Sequence, residues 1–359
     1  MSKGRFNWIF IPFLISTIFL NCISMMLQNN IAEGDSEIVT IEVGNSPYGL
    51  AFDPNVGTIY VANWGDNNVT VINGSTNTVI GDPIAVEMGP NSLAYDGHNH
   101  YVYVTNAQND SLSIINTLNK SMNSYSVPVG DLPTGVAIST NENMIYVTNA
   151  KDDNVTVING STNTVIGDPI AVGDQPRGLA FNPFNNYIYV ANYRSNTVTV
   201  IDGTTNTVID TIDVAPTPIR IAINPNEGTV YVSHYKLNER SQNDPISVIN
   251  GSTNEVVDRI PVCIAPIGLA VNPNTDKVFV ANSGSARVSV INPLVNDSIG
   301  IPPIDVDLEP YAVVINNLTD SVYVANYNTS TVSVIEDSDP NFETTATRAL
   351  CPPIPHPEH

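Results

Sequence analysis

Thr58-Ile59-Tyr60-Val61-Ala62-Asn63 leads through Trp64-Gly65-Asp66-Asn67-Asn68 into Val69-Thr70-Val71-Ile72. The centre of this stretch, Tyr-Val-Ala-Asn, returns in close variants that begin at Tyr103, Tyr146, Tyr189, Tyr231, Phe279 and Tyr323. Counted from Tyr60, the spacings are 43, 43, 43, 42, 48 and 44 residues. Self-similarity at this period marks a repeat architecture. Residues 68–86 recur letter for letter as 154–172, as a duplicated two-repeat unit would.

Each repeat holds four short apolar runs. In the first they are Gly-Leu-Ala-Phe (49–52), Thr-Ile-Tyr-Val-Ala (58–62), Val-Thr-Val-Ile (69–72) and the stretch from Thr78 to Val86. They are rich in Val, Ile, Tyr and Thr and too short for helices. Asp53-Pro54-Asn55-Val56-Gly57, Gly65-Asp66-Asn67-Asn68 and Asn73-Gly74-Ser75 separate them. Asn and Gly accept the positive φ that tight hairpins require. Each repeat therefore reads as a four-stranded antiparallel meander, and seven arranged radially bury one another's faces. The expected fold is all-β, a seven-bladed β-propeller over residues 37–337. The last repeat supplies only three strands, ending at Thr331-Val332-Ser333-Val334-Ile335. A spare strand at residues 38–43 precedes the first repeat. Pairing of the two would complete the last blade and close the ring without a free edge.

With seven such motifs, each followed by a Val-x-Val-Ile-like run and preceded by a Pro-x-Gly-Leu-Ala-like one, the chain resembles the YVTN family of β-propeller repeat proteins. That family is known from archaeal surface-layer proteins and bacterial exported relatives. The resemblance covers roughly residues 38–336 and implies a fold and an extracytoplasmic location, not one activity. No Trp-Asp or Gly-Gly pair of the WD or kelch type occurs.

The formal net charge is −22, with 13 Lys and Arg. Such a surface favours solubility and repels nucleic acid and anionic membranes. Lys3 and Arg5 precede an apolar run from Trp8 to Leu20 that continues less strongly to Leu27. This is the layout of a secretory signal, and its length also suits an uncleaved anchor, so residues 1–30 read as signal peptide or N-terminal anchor. Residues 338–359 form a Pro-rich tail. Export would leave Cys263 and Cys351, an even pair that an oxidising compartment permits to bridge; two free thiols are the other reading. The Asn-x-Ser/Thr sequons at Asn73, Asn159 and Asn250 share one turn position, which turn chemistry alone explains.

In a propeller, the loops entering the inner strands share a face with those joining the second and third strands, and loops on a rigid scaffold carry function. Tyr48, Asn91, Arg177 and Tyr311 follow the Pro of their Pro-x-Gly-like turns, and Arg220 takes the Gly position of the fifth. Trp64, Tyr193, Tyr235 and Tyr327 follow the Tyr-Val-Ala-Asn motif, and His234 ends the fifth copy. These ten positions vary among blades and collect aromatic and positive side chains in an acidic chain, a combination suited to glycan or protein recognition. The motif Asn residues and the Asp or Asn residues ending the inner strands read as structural.

No Cys-x-x-Cys-His occurs, which excludes covalent c-type haem. No nucleophile–base pair or zinc-type cluster assembles from spacing. The sequence thus leans towards a non-catalytic, extracytoplasmic, monomeric module for surface binding or scaffolding. It expects no cofactor, metal or nucleic acid, and membrane contact only through the N-terminal anchor. The alternatives are a lactonase-like hydrolase or lyase with its site at the channel mouth, and nucleic-acid binding in the channel, which the charge opposes.

Overall fold

The computed structural model describes residues 38–122, 126–235, 244–293 and 303–337. The N-terminal signal or anchor, the insertion after Tyr235 and the Pro-rich tail fall wholly or largely outside these residues. The described chain forms seven antiparallel sheets, the blades of a seven-bladed β-propeller. In blade 4 the strands run Pro176–Asn182, Tyr187–Asn192, Thr197–Asp202 and Thr207–Asp213, from the channel outward.

The second strand of each blade is buried on both faces, which is why its sequence is apolar without alternation. In Thr58–Asn63 every residue is buried. Tyr60 and Ala62 pack towards blade 2 with Leu93, Val102 and Val104. Ile59 and Val61 pack the other way, with Tyr323, Val332 and Val334 of blade 7. Seven apolar clusters of this kind each join one pair of neighbouring blades.

The ring closes by pairing of the two ends of the described chain. Val39–Glu42 lies antiparallel to Thr331–Glu336, with Val39 opposite Val334 and Glu42 opposite Thr331. The outer strands differ from expectation in the first three blades, where each is split in two, as in Thr78–Val79 and Ile84–Ala85. In blades 1 and 3 a Gly-Asp-Pro breaks the strand. Gly81 and Gly167 take φ of 65° and 63°, and the following proline has no N–H for the ladder.

Tyrosines of the repeated motif tie each blade to the next. Tyr103, Tyr146 and Tyr189 donate their hydroxyls to Asn163, Asn206 and Asn254, at 2.7, 2.6 and 2.9 Å, on the outer turn of the following blade. Tyr323 of blade 7 donates to Asn77 and to the Gly74 carbonyl of blade 1 across the closure. Blade 2 has Lys120 at the equivalent left-handed turn position (φ 52°), and the buried hydroxyl of Tyr60, the corresponding tyrosine of blade 1, has no partner among the described residues. Lys120→Asn should supply the missing acceptor and stabilise the protein by about 1 kcal/mol. Thermal unfolding checks this, and the melting temperature should rise by about 1–3 °C.

The outer strand of blade 7 comes from the start of the described chain, and blade 6 carries Phe279 where the others have tyrosine. A buried clasp joins these blades instead. Lys277 Nζ lies 2.9 Å from Asp337 Oδ1, with side-chain exposures of 9% and 2%. Asn272 Nδ2 and Thr275 Oγ1 also donate to Asp337, at 2.7 and 2.8 Å.

The expected structural roles of the polar repeat residues hold. Asn63 donates to Asn68 and Thr70, and Asn149 to Asn154 and Thr156, fastening the second strand to the third. Asp53, Asp96 and Asn182 accept from the backbone two residues on, closing the turns at the far end of the blades. Asn73, Asn159 and Asn250 accept in the same way from Ser75, Ser161 and Ser252. Cys263 is fully buried and disulfide-bonded. Cys351 lies outside the described residues.

Candidate functional site

The seven inner strands surround a central channel. Its mouth opens into a cavity of about 180 Å³ lined by residues of all seven blades. The glycines of the Pro-x-Gly turns belong to this wall because neighbouring inner strands approach too closely for a side chain. A Cβ on Gly178 would lie 2.8 Å from the Arg220 Cα, and one on Gly268 2.6 Å from the Ala312 Cα. Where the fifth blade replaces this glycine by Arg220, the side chain occupies the channel.

A repeated hydrogen bond builds the rim. The residue before each entering proline has positive φ, including non-glycine residues such as Ser46 (54°), Gln175 (52°), Thr217 (59°) and Glu309 (56°). Its carbonyl accepts the N–H of the residue after the motif. Ser46 thus holds Trp64 at 3.0 Å, Gln175 holds Tyr193 at 3.1 Å, Thr217 holds Tyr235 at 3.0 Å and Glu309 holds Tyr327 at 2.9 Å. In the sixth of these loops and in two others the held residue is small, namely Ser283, Ala107 and Ala150. The rim is therefore uneven, with aromatic rings on blades 7 and 1 and on blades 4 and 5.

Closure assembles the first group. The Tyr48 ring lies 4.8 Å from Tyr311, 5.7 Å from Trp64 and 6.0 Å from Tyr327, while Tyr311 and Tyr327 are 5.0 Å apart. All four are partly exposed. Burial is the main cause raising the Tyr311 phenol above its usual value, with Tyr48, Tyr235 and the Glu309 carboxylate adding to it, so it remains a protonated donor. In the second group the Arg177 guanidinium sits over the Tyr193 ring at 5.6 Å, within cation–π range. Its Nε is buried without a partner among the described residues.

Arg220 reaches across the channel between the two groups. Its Nη1 donates to the Thr134 carbonyl at 3.1 Å and Nη2 to Asn91 Oδ1 at 3.2 Å, and its Cζ lies 6.0 Å from the Tyr48 ring centre. Burial pulls its pKa below the ordinary arginine value. Tyr48 and Tyr311 oppose that shift and Arg177 adds to it. Among the described residues, no carboxylate forms an ion pair with Arg177 or Arg220.

Of the ten residues expected at the mouth, Tyr48, Trp64, Arg177, Tyr193, Tyr235, Tyr311 and Tyr327 are partly exposed positions of this rim, Arg220 lies in the channel, and Asn91 forms its wall. His234 is a correction. It is only 2% exposed, with Nδ1 3.1 Å from the Pro216 carbonyl and Nε2 2.9 Å from Ser247 Oγ. It does the work of the motif asparagine, since either residue can bond the hydroxyl on the third strand. Burial pulls its pKa down to about 4, so near neutral pH it is uncharged, with Nδ1 as donor and Nε2 as acceptor. The sequence reading missed Glu309, whose carboxylate acts on Tyr235 and Tyr311. Its place before Pro310 was the signal.

The cavity lining contains no Asp, Glu, His or Cys among the described residues. Among the described residues, no group of three or more such side chains is placed to hold a metal ion. The described lining and rim offer ring faces, two guanidinium groups and neutral hydrogen-bonding groups, with the Glu309 carboxylate at the edge.

A closed ring of seven meander blades around a lined channel defines the chain as a seven-bladed β-propeller. Residues 129–240 match the family model described as YNCE-like beta-propeller. With the seven motif copies, this match supports a YVTN-like β-propeller. Among solved structures, Kuenenia stuttgartiensis hydrazine synthase is similar with a TM-score of 0.73 at 20% identity, over 86% of this chain and 99% of that one. A streptogramin B lyase is similar with a TM-score of 0.67 at 14% identity, over 83% of this chain and 97% of that one. At these identities the likeness is one of fold. No curated protein matches the chain.

Proposed function

We propose that this propeller is a non-catalytic binding module that works outside the cytoplasm, at the cell surface or secreted, and holds a glycan or an acidic protein segment at the channel mouth. The observation that carries this reading is the uneven rim, where aromatic rings and two arginines without an ion-pair partner among the described residues meet at a cavity whose described lining holds no carboxylate or imidazole to act as general base. Ring faces stack on sugars or side chains, and guanidinium groups pair with carboxylates. Arg177 and Arg220 bring positive charge to the mouth of a chain whose formal net charge is −22. The fold alone does not choose among functions; the residues at the mouth do.

An array of cell-wall glycans and exported proteins would identify a partner. The variant Trp64→Ala with Arg177→Ala should then bind at least tenfold more weakly, since each contact is worth roughly 1–2 kcal/mol. Normal binding by the double variant would make the rim mere packing. Turnover of an arrayed compound would favour the hydrolase or lyase reading instead.

A further inference from the structure

We propose that the channel mouth takes a small ligand bearing one carboxylate on a single ring, with the carboxylate on Arg220 and the ring against the aromatic faces of Tyr48 and Tyr311. This rests on the reading of the rim as a binding face and names the chemistry of its ligand.

Among the described residues, Arg220 places two of its N–H donors on protein acceptors, and both acceptors are neutral. An arginine carries five donors in a planar fork that matches a carboxylate edge to edge. Arg220 is partly exposed and forms no ion pair among the described residues, so an anion entering the mouth would supply its counter-charge. Arg177 adds positive potential from the mouth, and its buried Nε also lacks an acceptor among the described residues. At roughly 30 Å³ per water, the cavity of about 180 Å³ holds about six waters, enough for a carboxylate and part of a ring. The rest of the ring would lie among the partly exposed tyrosines above.

The number of charges is limited by what surrounds the mouth. Glu309 acts on Tyr235 and Tyr311 at the rim, where it would repel a second carboxylate and accept from a ligand hydroxyl. Beyond it the chain is strongly acidic, with a net charge of −22, so a polyanion lying across the surface is disfavoured. Sugar acids and hydroxyaryl acids both meet these demands.

The test is calorimetry of the full chain with D-glucuronate and 4-hydroxybenzoate, which separate the two sources. D-glucose, 4-hydroxybenzyl alcohol and inorganic phosphate serve as comparisons. At least one acid should bind, its neutral counterpart at least tenfold more weakly, and phosphate more weakly than the acid. Arg220→Met should weaken the acid at least tenfold and Arg177→Gln several-fold, with circular dichroism confirming that both variants fold. The Arg177 variant keeps the test valid if the Arg220 variant does not fold. Failure of both acids to bind, equal binding of a neutral counterpart or of phosphate, or insensitivity to the arginines would overturn the proposal. A neutral glycan held through Trp64 but indifferent to Arg220 would overturn it while leaving the rim as a binding face.

Discussion

A chain lacking residues 37–44 is expected to melt roughly 10 °C or more below the intact protein. The deletion removes the outer strand of blade 7, whose four residues pair with residues 331–334. Ile41, only 7% exposed, leaves the cluster that holds blade 7 to blade 1. Loss of a buried isoleucine costs about 2–5 kcal/mol, and each lost strand hydrogen bond about 1 kcal/mol more. The edge exposed at Thr331–Glu336 is also apolar, so aggregation should accompany melting. Differential scanning calorimetry measures the shift. An unchanged melting temperature would mean that the ring does not depend on its ends.

Asp337→Ala should be the most damaging single change at the seam between blades 6 and 7. It removes the acceptor shared by Lys277, Asn272 and Thr275 and leaves a lysine ammonium buried without a counter-charge. Breaking one side of a buried ion pair costs about 3–5 kcal/mol. Denaturant unfolding should register that loss, while Lys277→Met with Asp337→Asn, which removes both charges together, should be milder. If Asp337→Ala unfolds no earlier than a surface substitution would, the clasp contributes little and blade 6 is held by its apolar contacts alone.

The parts of the fold governed by local chemistry were legible in the sequence. The Tyr-Val-Ala-Asn period, the turn residues and the three-stranded last repeat were enough to infer seven blades and their closure. Two features escaped for physical reasons. His234 reads as an exposed departure from the motif, yet a histidine nitrogen and an asparagine amide can serve the same serine from the same strand end. The Lys277–Asp337 clasp joins residues in different blades, 60 positions apart, and no local pattern announces it. The site was half legible. Arg220 stands visibly in place of a glycine, but its reach to Asn91 and Thr134 depends on the curvature of the whole ring.

Closure makes the site as well as the fold, because it sets Tyr48 and Trp64 of the first blade against Tyr311 and Tyr327 of the last. Thr40 and Ser333 lie directly opposite in the pairing that closes the ring. Facing residues of an antiparallel pair have Cα atoms about 4.5–5.5 Å apart, within the span of a disulfide. The decisive measurement is peptide mapping of a Thr40→Cys, Ser333→Cys variant without reduction. The account predicts one linked pair of peptides, from residues 40 and 333, in nearly all molecules. Two freely alkylated thiols at these positions in folded protein would contradict closure, and with it the assembly of the aromatic mouth.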